Sequence, residues 1–281
     1  MTVPDKRRGG KQMKVRAAIA YAGRGIARPR YHANDTSRDL LEIVPVDVDI
    51  VDARGLATTL DGAGFMLVEH GSKVADFADR AAVDAMHRAE ITDLLGELSG
   101  ADRVIVNSPG ILRFSERATK SGKLDNSRPA RFAHVDISDA TAAAFAQRVA
   151  PPGQRVARFA HYNVWRVISA PPQDVPLAVC DARSVAANDL IPADAVFDSP
   201  DRPEWSFEGL VFAHHPSHLW HWFPDMTRDE AIVFKTHDSD SGRAHCVPHV
   251  AFDNPLAGAD APPRASIEMR GIALWFDAAA S

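Results

Sequence analysis

The sequence has little cysteine, no long apolar run and no excess of positive charge. Only two of its 281 residues are cysteines, Cys180 and Cys246. Two isolated thiols provide no disulfide framework and no zinc-finger spacing, and a reducing cytoplasm is the simplest compartment. No stretch of about eighteen apolar residues occurs, so no transmembrane helix and no membrane partner are expected. The N-terminus has no apolar core of the kind that marks a secretory signal. Lys and Arg number 32 against 37 Asp and Glu, for a formal net charge of −5. That balance argues against nucleic acid as the main partner. The one basic run, Lys6-Arg7-Arg8-Gly9-Gly10-Lys11, reads as part of a solvated, flexible end over 1–14. No internal repeat divides the chain, nor does any long linker. A single domain over 1–281 is expected, and nothing in the sequence speaks to its oligomeric state.

What is there in quantity is punctuation. Nineteen prolines and seventeen glycines are spread along the chain, which predicts many turns between short strands. Val15 to Tyr21, the alternating Asp47-Val48-Asp49-Ile50-Val51-Asp52 and Gly64 to Gly71 read as strands. Arg80 to Ser99 reads as a helix, with Val83, Met86, Ile91, Leu94, Leu95 and Leu98 near helical spacing and Gly100 as its stop. Lys120 to Pro129 is a polar loop that could cover a site. Ser138 is placed to cap a helix over 139–149, ended by Pro151-Pro152-Gly153. From Arg155 onward strand signals dominate: 156–168, 176–180, 210–213, 231–235, 246–252 and 267–276. Helical support followed by many short strands predicts a mainly β fold with flanking helices. Residues 15–100 would supply N-terminal strands and a supporting helix, and 101–281 a closed or sandwiched β core.

The chemistry concentrates in Ala130-Arg131-Phe132-Ala133-His134-Val135-Asp136. On a strand, His134 and Asp136 leave on the same face while Val135 faces the core. A His and a carboxylate side by side are two thirds of a facial metal site. A third ligand has to come from elsewhere, and the C-terminal half holds His214, His215, His218, His221, His237, His245 and His249. The crowded His214–His221 stretch lacks cysteine partners and regular ligand spacing, which disfavours zinc. His249, in Val247-Pro248-His249-Val250-Ala251-Phe252, is the better candidate. Fifteen residues on comes Arg264-Ala265-Ser266, a guanidinium and a hydroxyl suited to a carboxylate. Arg270 shares that strand face and is a second possible carboxylate partner.

Several blocks stand in a fixed order: Asn163-Val164-Trp165-Arg166, Pro176 to Ser184, His218-Leu219-Trp220, Pro224 to Ala231, Phe234-Lys235-Thr236-His237-Asp238, Pro248-His249-Val250 and Arg264 to Arg270. With the His134 strand, this region of about 130–276 resembles the CmcJ/NvfI (AsaB-like) hydroxylase/desaturase family of secondary metabolism. The resemblance implies a double-stranded β-helix (jelly roll, cupin-like) and an Fe(II)/2-oxoglutarate-dependent dioxygenase that uses O2. It implies His134, Asp136 and His249 as iron ligands, and Arg264 with Ser266 as the clamp on the distal carboxylate of 2-oxoglutarate. Asn163 and Arg270 are further candidates for the cosubstrate. Trp165, Arg166, His218, Trp220 and His237 are candidates for the pocket of a small-molecule substrate. His237 and the pair His221-Trp222 stand where tyrosines are usual in the family. Two other readings remain open, a non-catalytic partner subunit of a biosynthetic enzyme and a cupin-like metal-binding isomerase.

Overall fold

Strand β1 (Lys14–Ala22) shows the rule on which the fold is built. Val15, Ile19 and Tyr21 are buried while Lys14 and Arg16 are exposed, because successive strand side chains face opposite ways. The computed structural model describes residues 12–277; the basic run Lys6–Lys11 lies outside them. The larger of two sheets has the order β1, β3 (Ile43–Asp52), β12 (Trp220–Trp222), β9 (Leu177–Cys180), β14 (His249–Ala251), β7 (His134–Val135), β11 (Trp205–Phe212), β10 (Leu190–Phe197), β2 (Arg30–His32). The smaller runs β4 (Phe65–Glu69), β13 (Glu230–Asp238), β8 (Val156–Val167), β15 (Ala265–Phe276), β5 (Arg103–Ile105), and β6 (Ile111–Phe114) also pairs with β15. Pairing is antiparallel except where β2 meets β10 and β3 meets β12.

Phe65, Trp165, Ile232 and Phe234 of the smaller sheet pack against Leu177 and Val179 of the larger one. Two curled sheets joined by an apolar interior make a double-stranded β-helix, as the sequence led us to expect. The larger sheet curls until Ala133 donates its N–H to the Ala20 carbonyl at 2.8 Å. Tyr21, Phe212 and Trp220 pack inside that curl, and the Trp220 indole N–H donates to the Tyr21 hydroxyl at 2.6 Å. Each large side chain fully removed from water stabilises the fold by about 1.5–3 kcal/mol.

A helical run over 80–99 braces the outer face of β15, with Ile91, Leu95, Ile267 and Met269 in one cluster. The Asp79 carboxylate accepts from the Ala82 N–H at its start, and Gly100, at φ +62°, ends it. Met86 departs from the expected stripe and is exposed. Residues Val83–His87 form a wide π turn, and its extra residue rotates Met86 off the apolar face. The second helix, Asp139–Val149, is capped by Ser138 as expected. Strand β10 escaped sequence reading because Pro192 interrupts it. Pro192 is tolerated because β2 pairs only at Asp194–Val196, beyond the proline.

Gly271 is where brace and sheet come closest: a Cβ there would lie 2.4 Å from Leu95 Cδ1 and 3.3 Å from Val106 Cγ2. We expect Gly271→Ala to cost about 1–3 kcal/mol in denaturant melts, the usual range for overpacking. In a Leu95→Ala background the same substitution should cost markedly less, because the tighter of the two contacts has gone. Equal costs in both backgrounds would contradict this packing.

Candidate metal centre

In the larger sheet β14 lies beside β7, and His249 is the direct cross-strand partner of His134. Their ring centroids are 4.3 Å apart. The His134 Nδ1–H donates to the Phe132 carbonyl at 3.0 Å, and the His249 Nδ1–H to the Val247 carbonyl at 3.2 Å. Each ring is thereby held with its Nε2 lone pair free, the tautomer a metal needs. Asp136 lies just beyond β7. His134 Nε2 is 3.7 Å from Asp136 Oδ1, and His249 Nε2 is 3.9 Å from Oδ2. All three residues are buried.

The Asp136 carboxylate is held from the opposite sheet. Asn163 of β8 and Arg270 of β15 are paired in register. The Asn163 Nδ2–H donates to Oδ2 at 2.6 Å and Arg270 Nη2–H to Oδ1 at 2.8 Å. Each oxygen therefore spends one acceptor site on the protein and keeps another. Burial by itself would raise the Asp136 pKa. The Arg270 guanidinium, helped by the Asn163 hydrogen bond, outweighs it and keeps the carboxyl well below the usual range. Burial, and then the adjacent His249, pushes the His134 imidazole down to about 3. Two imidazoles that turn Nε2 inward and one ionised carboxylate, with these donor atoms facing one another, fit a divalent iron-type ion.

One side of this centre opens into a small cavity shared by His134, Asp136, His249, Trp165 and Arg264. Arg264 is 2% exposed. Its Nε–H donates to the Val175 carbonyl at 2.8 Å and its Nη1–H to the Ser266 hydroxyl at 2.6 Å. Among the described residues no carboxylate hydrogen-bonds this guanidinium. Burial, then the nearby Arg113, lowers its pKa to about 10, so it remains a cation at neutral pH. Adjoining it, with Arg113, His134 and Asp136 in both linings, is a wide cleft of about 760 Å³ bordered also by Arg270, Tyr31 and Phe132. Ser121, Asn126 and Arg128, from the polar loop before β7, also border it.

The structure thus brings together His134, Asp136, His249, Arg264, Ser266, Asn163 and Arg270. It gives Asn163 and Arg270 different contacts from those expected: both reach the Asp136 carboxylate, not the cavity below Arg264. The side chains proposed for the substrate pocket lie elsewhere, Trp165 excepted. Arg166 points away and donates to the carbonyls of His70 and Arg228. His218 sits against Asp189 at 3.1 Å, and Trp220 against Tyr21. His237 stacks on Phe159. Tyr31 and Arg113 escaped sequence reading because they come from short strands with no motif of their own.

A family model described as Oxidoreductase/YMDC permease-like domain matches residues 23–274. The hydroxylase/desaturase CTB9 of Cercospora beticola is 31% identical over 237 residues, spanning 78% of this chain and 72% of CTB9. The chain belongs to this hydroxylase/desaturase family. Another relative is the Fe(II)/2-oxoglutarate-dependent dioxygenase nvfI of Aspergillus novofumigatus. It is 32% identical over 195 residues, 68% of this chain and 67% of nvfI. The family fold is also that of a solved structure, the iron and alpha-ketoglutarate-dependent endoperoxidase NvfI. That structure superposes with a TM-score of 0.80 at 23% identity, covering 95% of this chain and 100% of NvfI. Despite the permease in the family's description, no helix among the described residues is long and apolar enough to cross a membrane.

Replacing Asn163 by Leu keeps the branched shape of the side chain but removes a hydrogen bond that aims Asp136. Losses of such supporting contacts lower metal affinity about 10- to 100-fold. Anaerobic calorimetric titration of the Asn163→Leu variant with Fe(II) should show that drop without a change in the far-UV spectrum. Unchanged affinity would mean that Asn163 does not orient the ligand.

Proposed function

We propose that this chain is a cytoplasmic, non-haem Fe(II)/2-oxoglutarate-dependent oxygenase that hydroxylates or desaturates a small secondary-metabolite substrate. The observation that carries the reading is a pair of adjoining cavities at one His-Asp-His centre, both lined by His134 and Asp136. One is small and ends at a buried arginine that, among the described residues, has no carboxylate on its guanidinium; the other is wide. The hydroxylase/desaturase and dioxygenase relatives support the same chemistry. Two free, buried cysteines suit a reducing compartment. Strands from 14–52 and from 103–276 share sheets, which supports reading the chain as one domain.

In this reading His134, Asp136 and His249 hold the iron, and Arg264 with Ser266 takes the distal carboxylate of 2-oxoglutarate. When bound, Fe(II) with 2-oxoglutarate and O2 supplies the oxidising power that removes hydrogen from a C–H bond, the cosubstrate leaving as succinate and CO2. The protein's part is placement and exclusion of water. The His134 and His249 rings are fixed through their Nδ1–H bonds. Asp136 is kept ionised by Arg270 and aimed by Asn163. Trp165 walls the cosubstrate cavity beside Arg264, with the guanidinium 5.8 Å from its ring centre. Tyr31 and Phe132 present apolar surface to a substrate beside the metal, and Arg113 presents a cation.

Arg264→Ala should remove a charge-assisted contact in a desolvated pocket, a loss of about 2–5 kcal/mol, or roughly 30- to several-thousand-fold in affinity. The KM for 2-oxoglutarate in its uncoupled conversion to succinate should rise accordingly, while Fe(II) affinity is retained. Arg264→Lys should recover part of the binding, since the charge remains but the fork is lost. Arg270→Met should show the opposite split, with weakened Fe(II) binding, because Arg270 supports Asp136. Equal, small effects on 2-oxoglutarate at both positions would remove the clamp assignment.

A further inference from the structure

A second group of ligand-type side chains converges away from the His-Asp-His centre. Asp139 opens the helix Asp139–Val149, His237 stands near the end of β13, and His245 lies in the connection over 239–248. One ligand atom from each lies within 4.8 Å of the others. His237 Nδ1 is 3.4 Å from Asp139 Oδ1, and His245 Nε2 is 2.9 Å from the same oxygen. The two imidazole rings meet edge to face, with centroids 4.9 Å apart.

Two details show that something positive belongs between these atoms. His237 is 4% exposed, its ring stacked on Phe159, yet among the described residues its buried Nδ1 has no hydrogen-bond partner. Buried polar atoms in folded proteins are almost always paired, and this one is aimed at a carboxylate oxygen and a second imidazole. His245 supplies the other detail. Its Nδ1 lies 3.1 Å from the Asp238 carbonyl, a contact that requires the proton on Nδ1. The neutral ring then turns the lone pair of Nε2 toward the Asp139 carboxylate, acceptor against acceptor. Only a cation between them, proton or metal, makes that contact favourable.

We infer that Asp139, His237 and His245 form a second divalent-cation site, a two-imidazole, one-carboxylate set suited to zinc. Tetrahedral zinc with bonds of about 2.0–2.1 Å brings its ligand atoms to about 3.3–3.4 Å from one another. The His237–Asp139 separation already has that value. The shorter His245–Asp139 contact opens by rotation of two surface side chains, 43% and 72% exposed. The same exposure gives an ion its path from solvent, and water completes the coordination. Asp139 follows Asp136 by three residues and His245 precedes His249 by four. An ion here would therefore fasten together the two segments that carry the ligands of the main centre.

The test is the binding stoichiometry of zinc to the metal-free full-length chain, followed by calorimetry and by thermal melts. The wild type should take two ions per chain, and a His134→Ala/Asp136→Ala chain one. In that triad-deficient chain zinc should still raise the Tm. Adding His245→Gln, at a half-exposed position where packing is undemanding, should abolish both the remaining ion and the shift; His237→Gln should do the same. One ion per wild-type chain would overturn the proposal and leave Asp139 and His245 as a proton-bridged pair. A folded triad-deficient chain that binds no zinc would overturn it too. So would an ion that survives both His245→Gln and His237→Gln.

Discussion

The Asp136 carboxylate is the point on which the two sheets agree. It is carried by the larger sheet, just past β7, and is bound by two residues paired across the smaller one. A buried carboxylate is strongly destabilising unless it is paired and hydrogen-bonded. Arg270 supplies the charge and Asn163 the second hydrogen bond, and Glu268 in turn accepts from Arg270 Nε at 2.8 Å. Such a chain of contacts is favourable only at one relative placement of β7, β8 and β15. The same placement puts the Asp136 oxygens opposite the two Nε2 atoms of His134 and His249.

Strand β15 distributes the chemistry by simple alternation. Ser266, Glu268 and Arg270 share one face, preceded by Arg264, and that face looks into the sandwich. Ile267 and Met269 face outward and pack beneath the helical brace. Past Gly271 the inward row turns apolar, with Ile272 and Leu274 packed near Ala146 of the second helix. One strand therefore supplies the buried Arg264–Ser266 pair, the support for Asp136 and half of a structural core. The brace matters to the site because it holds the outer face of the strand whose inner face carries Ser266 and Arg270.

Much of this is legible without coordinates, and for local reasons. His134 and Asp136 are two residues apart on a strand, Ser138 is an ordinary N-cap, and the 80–99 stripe has helical spacing. The ligand order His-x-Asp, His, Arg-x-Ser survives as a linear pattern and pointed to the residues the fold gathers. What was illegible depends on register or on tertiary reach. Nothing in the sequence says that Asn163 lies opposite Arg270, so both were assigned to the cosubstrate although they bind Asp136. Arg166, Trp220 and His237 sit in motif blocks, but strand direction turns them toward other partners, and His218 lies in the turn before β12, against Asp189. Tyr31 and Arg113 reach the cleft through three- and four-residue strands, too short to show a period. Met86 was misplaced by a π turn, whose extra residue no apolar pattern announces.

The central claim is that one centre binds Fe(II) and 2-oxoglutarate together, the cosubstrate reaching from the metal to Arg264. Anaerobic addition of Fe(II) and 2-oxoglutarate to the metal-free protein tests it most directly. The account predicts a weak visible metal-to-ligand charge-transfer band that needs both components, because it arises only from a chelated 2-oxo acid on the metal. It also predicts that the band is absent when Asp136 is replaced by Ala. No band with both components in excess, or an undiminished band in the Asp136→Ala protein, would contradict it.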